Sequence, residues 1–209
     1  MGAADFMSGQ LFIVAAPSGA GKTSLVKALT GAMSGIQVSV SYCTRAMRSG
    51  EQEGVDYHFV DQATFQNMVE AEEFLEYAHV FDRSYGTSRA KVVELLSQGI
   101  DVILEIDWQG ARQVRELVDG VVSIFVLPPS RDALQERLQG RGQDSDEIIA
   151  RRMKDAVSEM LHYDEFDYVI INNDFDEALQ ELSSVVVASR VACVSAKKKH
   201  AKLINDLLV

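Results

Sequence analysis

A glycine-rich segment near the start of the chain has the residue types of a phosphate-binding loop. It fits the pattern GxxxxGKS/T at every position except the first, where alanine replaces glycine, and it reads Ala16-Pro17-Ser18-Gly19-Ala20-Gly21-Lys22-Thr23. The glycines let backbone N–H groups approach phosphate oxygens, the lysine reaches the β- and γ-phosphates, and the threonine hydroxyl can ligate Mg²⁺. The segment therefore predicts a site for a nucleoside triphosphate with Mg²⁺. Ala16 is tolerable there if its φ is negative.

Two arginines, Arg45 and Arg48, lie three residues apart, with Tyr42 and Tyr57 close by in the sequence. Guanidinium groups donate paired hydrogen bonds to phosphate oxygens, and tyrosine hydroxyls add neutral donors. This composition suits a second substrate with a single phosphate group. A pair of arginines is also common on a solvated surface, so the interpretation depends on its occurrence together with a phosphate-binding loop.

Together with the loop and the arginine pair, five further segments of this sequence resemble the guanylate kinase family. The resemblance extends over about residues 10–176, and its segments are Phe74-Leu75-Glu76-Tyr77-Ala78, Tyr85-Gly86-Thr87-Ser88, Ile103–Gly110, Pro128-Pro129-Ser130 and Arg137–Gly142. It implies transfer of the γ-phosphoryl group of ATP, bound with Mg²⁺, to GMP and also to dGMP, giving ADP and GDP in the first case. Such a reaction belongs to purine nucleotide metabolism and the recycling of GMP.

The resemblance also assigns residues to the two ends of GMP. The phosphate would be held by Arg45, Arg48, Tyr57 and Tyr85. The remaining contacts, mainly to guanine, would come from Ser41, Glu76, Gly86, Thr87 and Asp107. Guanine offers N1–H and an exocyclic amino group as donors, so carboxylate and hydroxyl acceptors suit it, whereas adenine would leave those acceptors unpaired. For Glu76, a place on the acidic surface is the alternative.

A further group of cations resembles the arginines with which the family closes over the ATP phosphates, namely Arg137, Arg141 and Arg152. The predicted catalytic residues are therefore Lys22, Arg45, Arg137, Arg141 and Arg152. Surface salt bridges to neighbouring carboxylates are the alternative for the last three arginines. The attacking phosphate oxygen of GMP is largely ionised at neutral pH, so catalysis requires positioning and charge neutralisation rather than a general base.

Alternating strands and helices must position these residues. Apolar runs predict strands over Leu11–Ala16, Asp101–Ile106, Val121–Leu127 and Tyr168–Ile171. Helical patterns predict helices over Thr23–Met33, Arg89–Ser97, Gln109–Val118 and Asp144–His162, with a long helical region after Asp174. Pro128-Pro129-Ser130 ends a strand and caps a further helix that runs to about Gln139. This alternation predicts βαβ units around a parallel sheet. The resemblance specifies an α/β P-loop NTPase fold with helices flanking a central parallel sheet.

Two smaller parts are expected within this fold. An extended segment over Val38–Cys43, a strand over Tyr57–Val60, a helix from an N-cap at Asp61 to Ala71 and alternation over Phe74–Phe81 together suggest a mixed α+β unit. The resemblance makes this unit a GMP-binding insertion at residues 41–96 and adds a helical LID at residues 142–156. Both belong to a single domain covering residues 1–209.

Composition limits the partners. The chain has 209 residues, with 20 Lys and Arg against 31 Asp and Glu, and a formal net charge of −11. This acidity argues against a nucleic-acid polymer as partner. The apolar run Leu11–Ala16 is too short to span a membrane, and no basic residues precede it as in a signal peptide, so a cytoplasmic protein with no membrane partner is expected. A homo-oligomer is compatible with the sequence.

Two other functions stay open at the level of the sequence. One is a non-catalytic interaction module of the same fold, whose GMP cleft would hold a phosphorylated peptide; the intact Lys22 and Thr23 argue against it. The other is a P-loop kinase with a different acceptor, such as AMP, UMP or a ribosyl phosphate. Ser41, Glu76 and Asp107 argue against this second alternative, because together they suit guanine.

Overall fold

The computed structural model describes residues 9–80, 82–140 and 146–209 of the chain. Its strands are β1 (Leu11–Ala15), β2 (Ile36–Val38), β3 (Tyr42–Cys43), β4 (His58–Phe59), β5 (Phe74–Val80), β6 (Arg83–Ser88), β7 (Asp101–Glu105), β8 (Val122–Leu127) and β9 (Tyr168–Ile171). Its helices are α1 (Lys22–Ala32), α2 (Gln62–Glu70), α3 (Arg89–Ser97), α4 (Trp108–Leu117), α5 (Arg131–Gln139), α6 (Asp146–Met160), α7 (Phe175–Val191), α8 (Cys193–Lys199) and α9 (Ala201–Leu207). Among these helices, none is both long enough and apolar enough to cross a membrane.

Five strands form a central parallel sheet in the order β2-β7-β1-β8-β9. All five residues of β1 are buried, as expected for a strand in a parallel sheet that is covered on both faces. One face of β1 contributes to a hydrophobic core with α3 and α4, and the other face contributes to a second core with α1 and α7. This arrangement confirms the predicted α/β fold with a central parallel sheet flanked by helices.

The segments that contain predicted site residues follow the carboxyl ends of the parallel strands and therefore lie at one edge of the central sheet. The phosphate-binding loop follows β1, the segment Glu105–Asp107 ends β7 and leads into α4, and Asn172 follows β9. Two helices that begin at this edge have side-chain caps: Asp107 accepts a hydrogen bond from the N–H of Gly110, and Ser130 accepts one from the N–H of Ala133. The caps fix where the loops end and the helices begin.

A second, four-stranded sheet lies within residues 41–96 and has the order β4-β3-β6-β5. In it, β6 pairs in antiparallel fashion with β3 and β5, while β3 and β4 are parallel. The helix α2 follows β4, and its N-cap is Asp61, which accepts a hydrogen bond from the N–H of Thr64, as predicted. The predicted mixture of strands and a helix is therefore present. That it forms a separate GMP-binding unit stays a prediction.

The structure differs from the prediction at two places: the extended segment over residues 38–43 and the C-terminal helical region. Residues 38–43 do not form one extended segment, because Ile36–Val38 pairs in the central sheet whereas Tyr42–Cys43 pairs in the second sheet. The chain thus crosses between the two sheets in this segment. The predicted C-terminal helical region is present as α7, α8 and α9; the extended ψ of Ala192, 142°, ends α7.

The predicted LID is covered in part. The helix expected over Asp144–His162 is present as α6, which runs from Asp146 to Met160. Arg141 and residues 142–145 lie outside the described residues. The prediction of a LID at residues 142–156 therefore concerns the first part of α6 and the segment before it.

Candidate active site

The phosphate-binding loop has backbone conformations that only glycine adopts readily. Gly19 and Gly21 both have a φ of +95°. A Cβ atom on Gly19 would lie 3.0 Å from the side chain of Leu134, and a Cβ atom on Gly21 would collide with the side chain of Asn172. Positive φ among the described non-glycine residues occurs at Glu72 and Asp82, so the methyl group of Ala16 imposes no such strain.

Two side chains from other parts of the fold hold the loop in place. Asn172, which is buried, donates from Nδ2 to the carbonyl oxygen of Ala20 over 2.7 Å. Arg137 donates from Nη2 to the carbonyl oxygen of Asn172 over 2.9 Å and from Nη1 to that of Ala20 over 3.4 Å. In this structure, the guanidinium of Arg137 therefore supports the loop through the carbonyl oxygens of Ala20 and Asn172. Its predicted contact with ATP phosphates stays a prediction.

The last two residues of the loop, Lys22 and Thr23, have side chains that contact the end of β7 and the residue after it. Lys22 donates from Nζ to the carbonyl oxygen of Ile106 over 3.4 Å. Thr23 donates from Oγ1 to the Oε2 atom of Glu105 over 2.9 Å. A hydroxyl and a carboxylate oxygen thus lie side by side next to the predicted phosphate-binding loop, and oxygen atoms are the ligands that Mg²⁺ prefers.

A cleft of about 330 Å³ lies between the phosphate-binding loop and the second sheet. It brings together residues that are far apart in the sequence. Its lining contains the loop, Ser41, Tyr57, Glu76, Tyr85 and Asp107. Arg45, Arg48, Gly86 and Thr87 do not belong to the lining among the described residues. The structure thus brings the phosphate-binding loop and a set of hydroxyl and carboxylate groups together in one cleft.

Glu76 is the most deeply buried carboxylate of this cleft, with 3% of its surface exposed. Thr87, its partner across β5 and β6, donates from Oγ1 to the Oε1 atom of Glu76 over 2.5 Å. On the other side, Gly110 leaves room for Oε2, because a Cβ atom there would collide with it. Burial raises the pKa of Glu76 to about 7, and the charge of Asp107 adds to this rise. The alternative of a surface acid is therefore wrong.

Asp107 has two structural partners in addition to its place in the cleft. Its Oδ1 atom accepts a hydrogen bond from the N–H of Gly110 over 2.9 Å, and its Oδ2 atom accepts one from Nε2 of Gln109 over 3.2 Å. Each carboxylate oxygen can accept a second hydrogen bond, so the cap leaves acceptor capacity toward the cleft. The predicted contact of Asp107 with guanine stays a prediction.

The arginine pair lies beside the cleft. Arg45 stacks with its guanidinium over the ring of Tyr57, 4.9 Å from the ring centre, and the ring of Tyr57 lies 5.9 Å from that of Tyr85. Burial raises the pKa of Tyr57 to about 12, so its hydroxyl stays a neutral donor at physiological pH. Arg48 is exposed. Arg45 and both tyrosines, which the resemblance assigns to the GMP phosphate, therefore lie close together; that they bind a phosphate stays a prediction.

Comparisons with known proteins agree with this geometry. The model of a family described as guanylate kinase matches residues 8–189. The chain belongs to the guanylate kinase family. A guanylate kinase from Chromohalobacter salexigens is 62% identical over 200 residues, which cover 96% of this chain and 93% of the relative. One from Saccharophagus degradans is 57% identical over 201 residues, covering 96% and 98%. The crystal structure of guanylate kinase from Anaplasma phagocytophilum superposes with a TM-score of 0.76 at 34% identity, covering 90% of this chain and 89% of that one.

Membership of the guanylate kinase family makes this chain an enzyme, a nucleotide-binding phosphotransferase. The alternative of a non-catalytic interaction module is therefore set aside. The relatives match nearly the full length of the chain, so the resemblance that the sequence suggested over residues 10–176 extends further toward the C-terminus. Membership of the guanylate kinase family does not by itself assign a role to any single residue of the site, so these roles stay predictions.

Glu159 is the acidic residue of α6 that lines the cleft but is missing from the sequence-based site. Glu159, on α6, accepts a hydrogen bond at Oε2 from the backbone N–H of Ser18 over 3.2 Å, and it lines the cleft. Burial raises its pKa to about 6. Arg152 on the same helix donates from Nη2 to Oγ of Ser18 over 2.6 Å. The spacing of seven residues, two helical turns, places both side chains on one face of α6 and is the only signal in the sequence that could have linked them.

Proposed function

We propose that this chain transfers the γ-phosphoryl group of ATP, bound with Mg²⁺, to GMP, giving ADP and GDP. Phosphoryl transfer to GMP follows from membership of the guanylate kinase family. The choice of ATP, the use of dGMP as a second acceptor, and a place in the recycling of GMP in the cytoplasm are the finer parts of the proposal. The observation that carries it is a cleft whose lining includes both the phosphate-binding loop and Glu76, which accepts a hydrogen bond from Thr87.

The GMP end of the proposal uses the second sheet. Glu76 and Asp107 would accept hydrogen bonds from N1–H and the exocyclic amino group of guanine, and Ser41 would donate to O6. Thr87 holds Glu76 in place, while Gly86 lies next to it on β6. The phosphate of GMP would be bound by Arg45, Arg48, Tyr57 and Tyr85. Residues 41–96 would thereby act as the GMP-binding insertion of this single-domain protein.

The ATP end uses the loop and its neighbours. Backbone N–H groups of residues 16–23 would bind the β- and γ-phosphates together with Lys22. The oxygens of Thr23 and Glu105, which are 2.9 Å apart, fit Mg²⁺, because this ion is usually bound through one or two protein oxygens, substrate phosphates and water. When bound, Mg²⁺ would neutralise phosphate charge. Thr23 would be its direct protein ligand.

The remaining cations would complete the charge balance. Arg137, Arg141 and Arg152 are proposed to close over the ATP phosphates, with residues 142–156 as a LID. Arg152 is already directed at the loop through its contact with Ser18. Lys22 and Arg45 would neutralise the two substrates from opposite sides, so that an ionised oxygen of the GMP phosphate can attack the γ-phosphorus in line. Exclusion of water on closure would suppress hydrolysis of ATP.

A coupled assay with MgATP and a series of acceptors tests this proposal. GMP and dGMP should be phosphorylated efficiently, and IMP, which lacks the amino group, should be intermediate. AMP and UMP should react with a kcat/KM lower by about 10³-fold or more, the range seen when a site built for substrate donors meets an analogue without them. Equal turnover of AMP or UMP would reject the guanine site and favour the alternative acceptor. Absence of turnover with every acceptor would reject the reaction itself.

Glu159 leads to a prediction about the ATP end. A carboxylate that accepts the N–H of Ser18 competes with phosphate for this donor and repels it. Glu159→Gln should therefore bind MgATP about five times more tightly at pH 8, as measured by calorimetry. Because burial raises the pKa of Glu159 to about 6, the wild-type side chain is mostly neutral at pH 5.5, and the difference between the two proteins should shrink there.

The control for this prediction is Glu181→Gln, which removes the same charge from an exposed position on α7 that does not line the cleft. Because both proteins are compared at each pH, the protonation of ATP itself cancels from the ratio. Weaker binding of MgATP by Glu159→Gln at pH 8 would show that the carboxylate supports the nucleotide site instead of opposing it.

A further inference from the structure

Glu51 is held by three hydrogen-bond donors from the two arginines that are proposed to bind the GMP phosphate. Its Oε2 and Oε1 atoms accept hydrogen bonds from Nη1 and Nη2 of Arg45 over 2.6 and 2.5 Å. Its Oε2 atom also accepts one from the backbone N–H of Arg48 over 2.8 Å. The paired hydrogen bonds of Arg45 lower the pKa of Glu51 to about 2, so the carboxylate is ionised throughout the physiological range.

The position of Arg45 is closely defined by these contacts. Only 9% of its side chain is exposed, and its guanidinium lies 4.9 Å from the ring centre of Tyr57 and 5.5 Å from that of Phe59. Nη1 also donates to the carbonyl oxygen of Ala46 over 3.1 Å. A guanidinium has five N–H donors in a fixed plane. Glu51 and Ala46 use three of them, which leaves the edge formed by Nε and the second hydrogen of Nη2 for a further acceptor.

We propose that Glu51 is a positioning residue for the GMP phosphate: it holds Arg45 in a fixed orientation against Tyr57 and links it to the turn that carries Arg48. The proposal rests on the proposed function, in which Arg45 binds that phosphate. A long side chain that is already ordered loses little conformational freedom when its ligand binds, and the ligand then binds more tightly. A planar, bidentate pair with a carboxylate is the geometry that orders an arginine best.

Competition between Glu51 and the phosphate is the opposite possibility, since both are anions. Two features of the structure favour support over competition. The N–H of Glu51 donates to the carbonyl oxygen of Arg48 over 3.1 Å, so Glu51 closes a turn at both its backbone and its side chain. The open edge of Arg45 offers a phosphate two parallel donors without displacing Glu51. Support predicts weaker binding of GMP when Glu51 is removed, whereas competition predicts tighter binding.

Steady-state kinetics of Glu51→Gln separates these outcomes. Glutamine has the same size but presents an amino group to Nη1 or Nη2, which breaks one hydrogen bond of the pair. The KM for GMP should rise by about tenfold, while the KM for ATP and kcat change by no more than about twofold. Glu51→Asp, which keeps the charge, should lie closer to the wild type. Glu70→Gln is the matched control, because Glu70 is an exposed carboxylate of the same second-sheet region that contacts Gln66.

A double-mutant cycle with Arg45→Lys distinguishes failure of this proposal from failure of the proposed function. If Glu51 acts through Arg45, adding Glu51→Gln to Arg45→Lys should raise the KM for GMP by less than about twofold, because lysine cannot form the bidentate pair. Additive effects, or an unchanged or lowered KM for GMP in Glu51→Gln, would overturn the positioning role. An unchanged KM for GMP in Arg45→Lys would instead contradict the phosphate site of the proposed function.

Discussion

Replacement of Lys22 by methionine is expected to lower kcat by at least about 100-fold, the scale observed when a group that stabilises transition-state charge is removed. Lys22 follows a glycine with a φ of +95°, and its ammonium group lies at the carboxyl edge of the central sheet, near the carbonyl oxygen of Ile106. Methionine has a similar length and no charge. The negative charges of the two substrates would then approach each other without the cation that the phosphate-binding loop is proposed to supply.

The measurement is steady-state turnover with GMP and MgATP, together with calorimetric binding of each nucleotide. Binding of GMP should weaken much less than turnover falls, because Lys22 is not among the proposed contacts of GMP and affects Glu76 only through its charge. Lys27→Met is the matched control: Lys27 lies on the same helix, is exposed, and reaches only as far as Asp56, 3.5 Å away. Near-normal turnover of Lys22→Met would reject the assignment of the phosphate-binding loop.

The parts of the fold that depend on local patterns could be predicted from the sequence. The apolar run of β1, the glycines of the loop and the caps at Asp61 and Ser130 each act within a few residues, and each is present in the structure. The segment over residues 38–43 was harder, because its two halves have the same extended pattern and differ only in which sheet they join. Pairing between distant strands is not encoded in such a short segment.

The same distinction applies to the candidate site. Alternation could not decide the orientation of Glu76, because a register shift between Phe74 and Glu76 disturbs the β5–β6 pair and buries Leu75 and Glu76 together. Asn172 and Glu159 reach the phosphate-binding loop from positions more than 140 residues away in the sequence. No motif marks them, and only the completed fold brings them to the loop.

Glu76→Gln is expected to lower kcat/KM for GMP by about 100-fold or more, because glutamine presents a donor to a donor of guanine and leaves both groups unpaired. The KM for ATP should change by less than about twofold, since Glu76 makes none of the proposed contacts with ATP. Glu73→Gln, three residues earlier and exposed, is the control for charge alone. Equal loss of GMP and ATP binding would count against a contact with guanine.

The pH dependence of GMP binding gives a second, independent readout of Glu76. Its pKa is about 7 because burial and the charge of Asp107 raise it more than the hydrogen bond from Thr87 and the charge of Lys22 lower it. The N1–H and amino donors of guanine favour the ionised carboxylate, so GMP should lower this pKa when it binds. Wild-type affinity should therefore be full above about pH 7 and fall by up to tenfold per pH unit below it.

Glu76→Gln has no group to titrate at this position, so its affinity for GMP should lack this loss. The phosphate of GMP titrates in the same range, with a second pKa of about 6, and contributes to both proteins alike. The ratio of the wild-type and variant dissociation constants, measured by calorimetry between pH 5.5 and 8.5, removes that contribution. A ratio that stays constant with pH would mean that the carboxylate does not accept hydrogen bonds from guanine. A ratio that approaches one at acid pH would show that protonation of Glu76 weakens the binding of GMP.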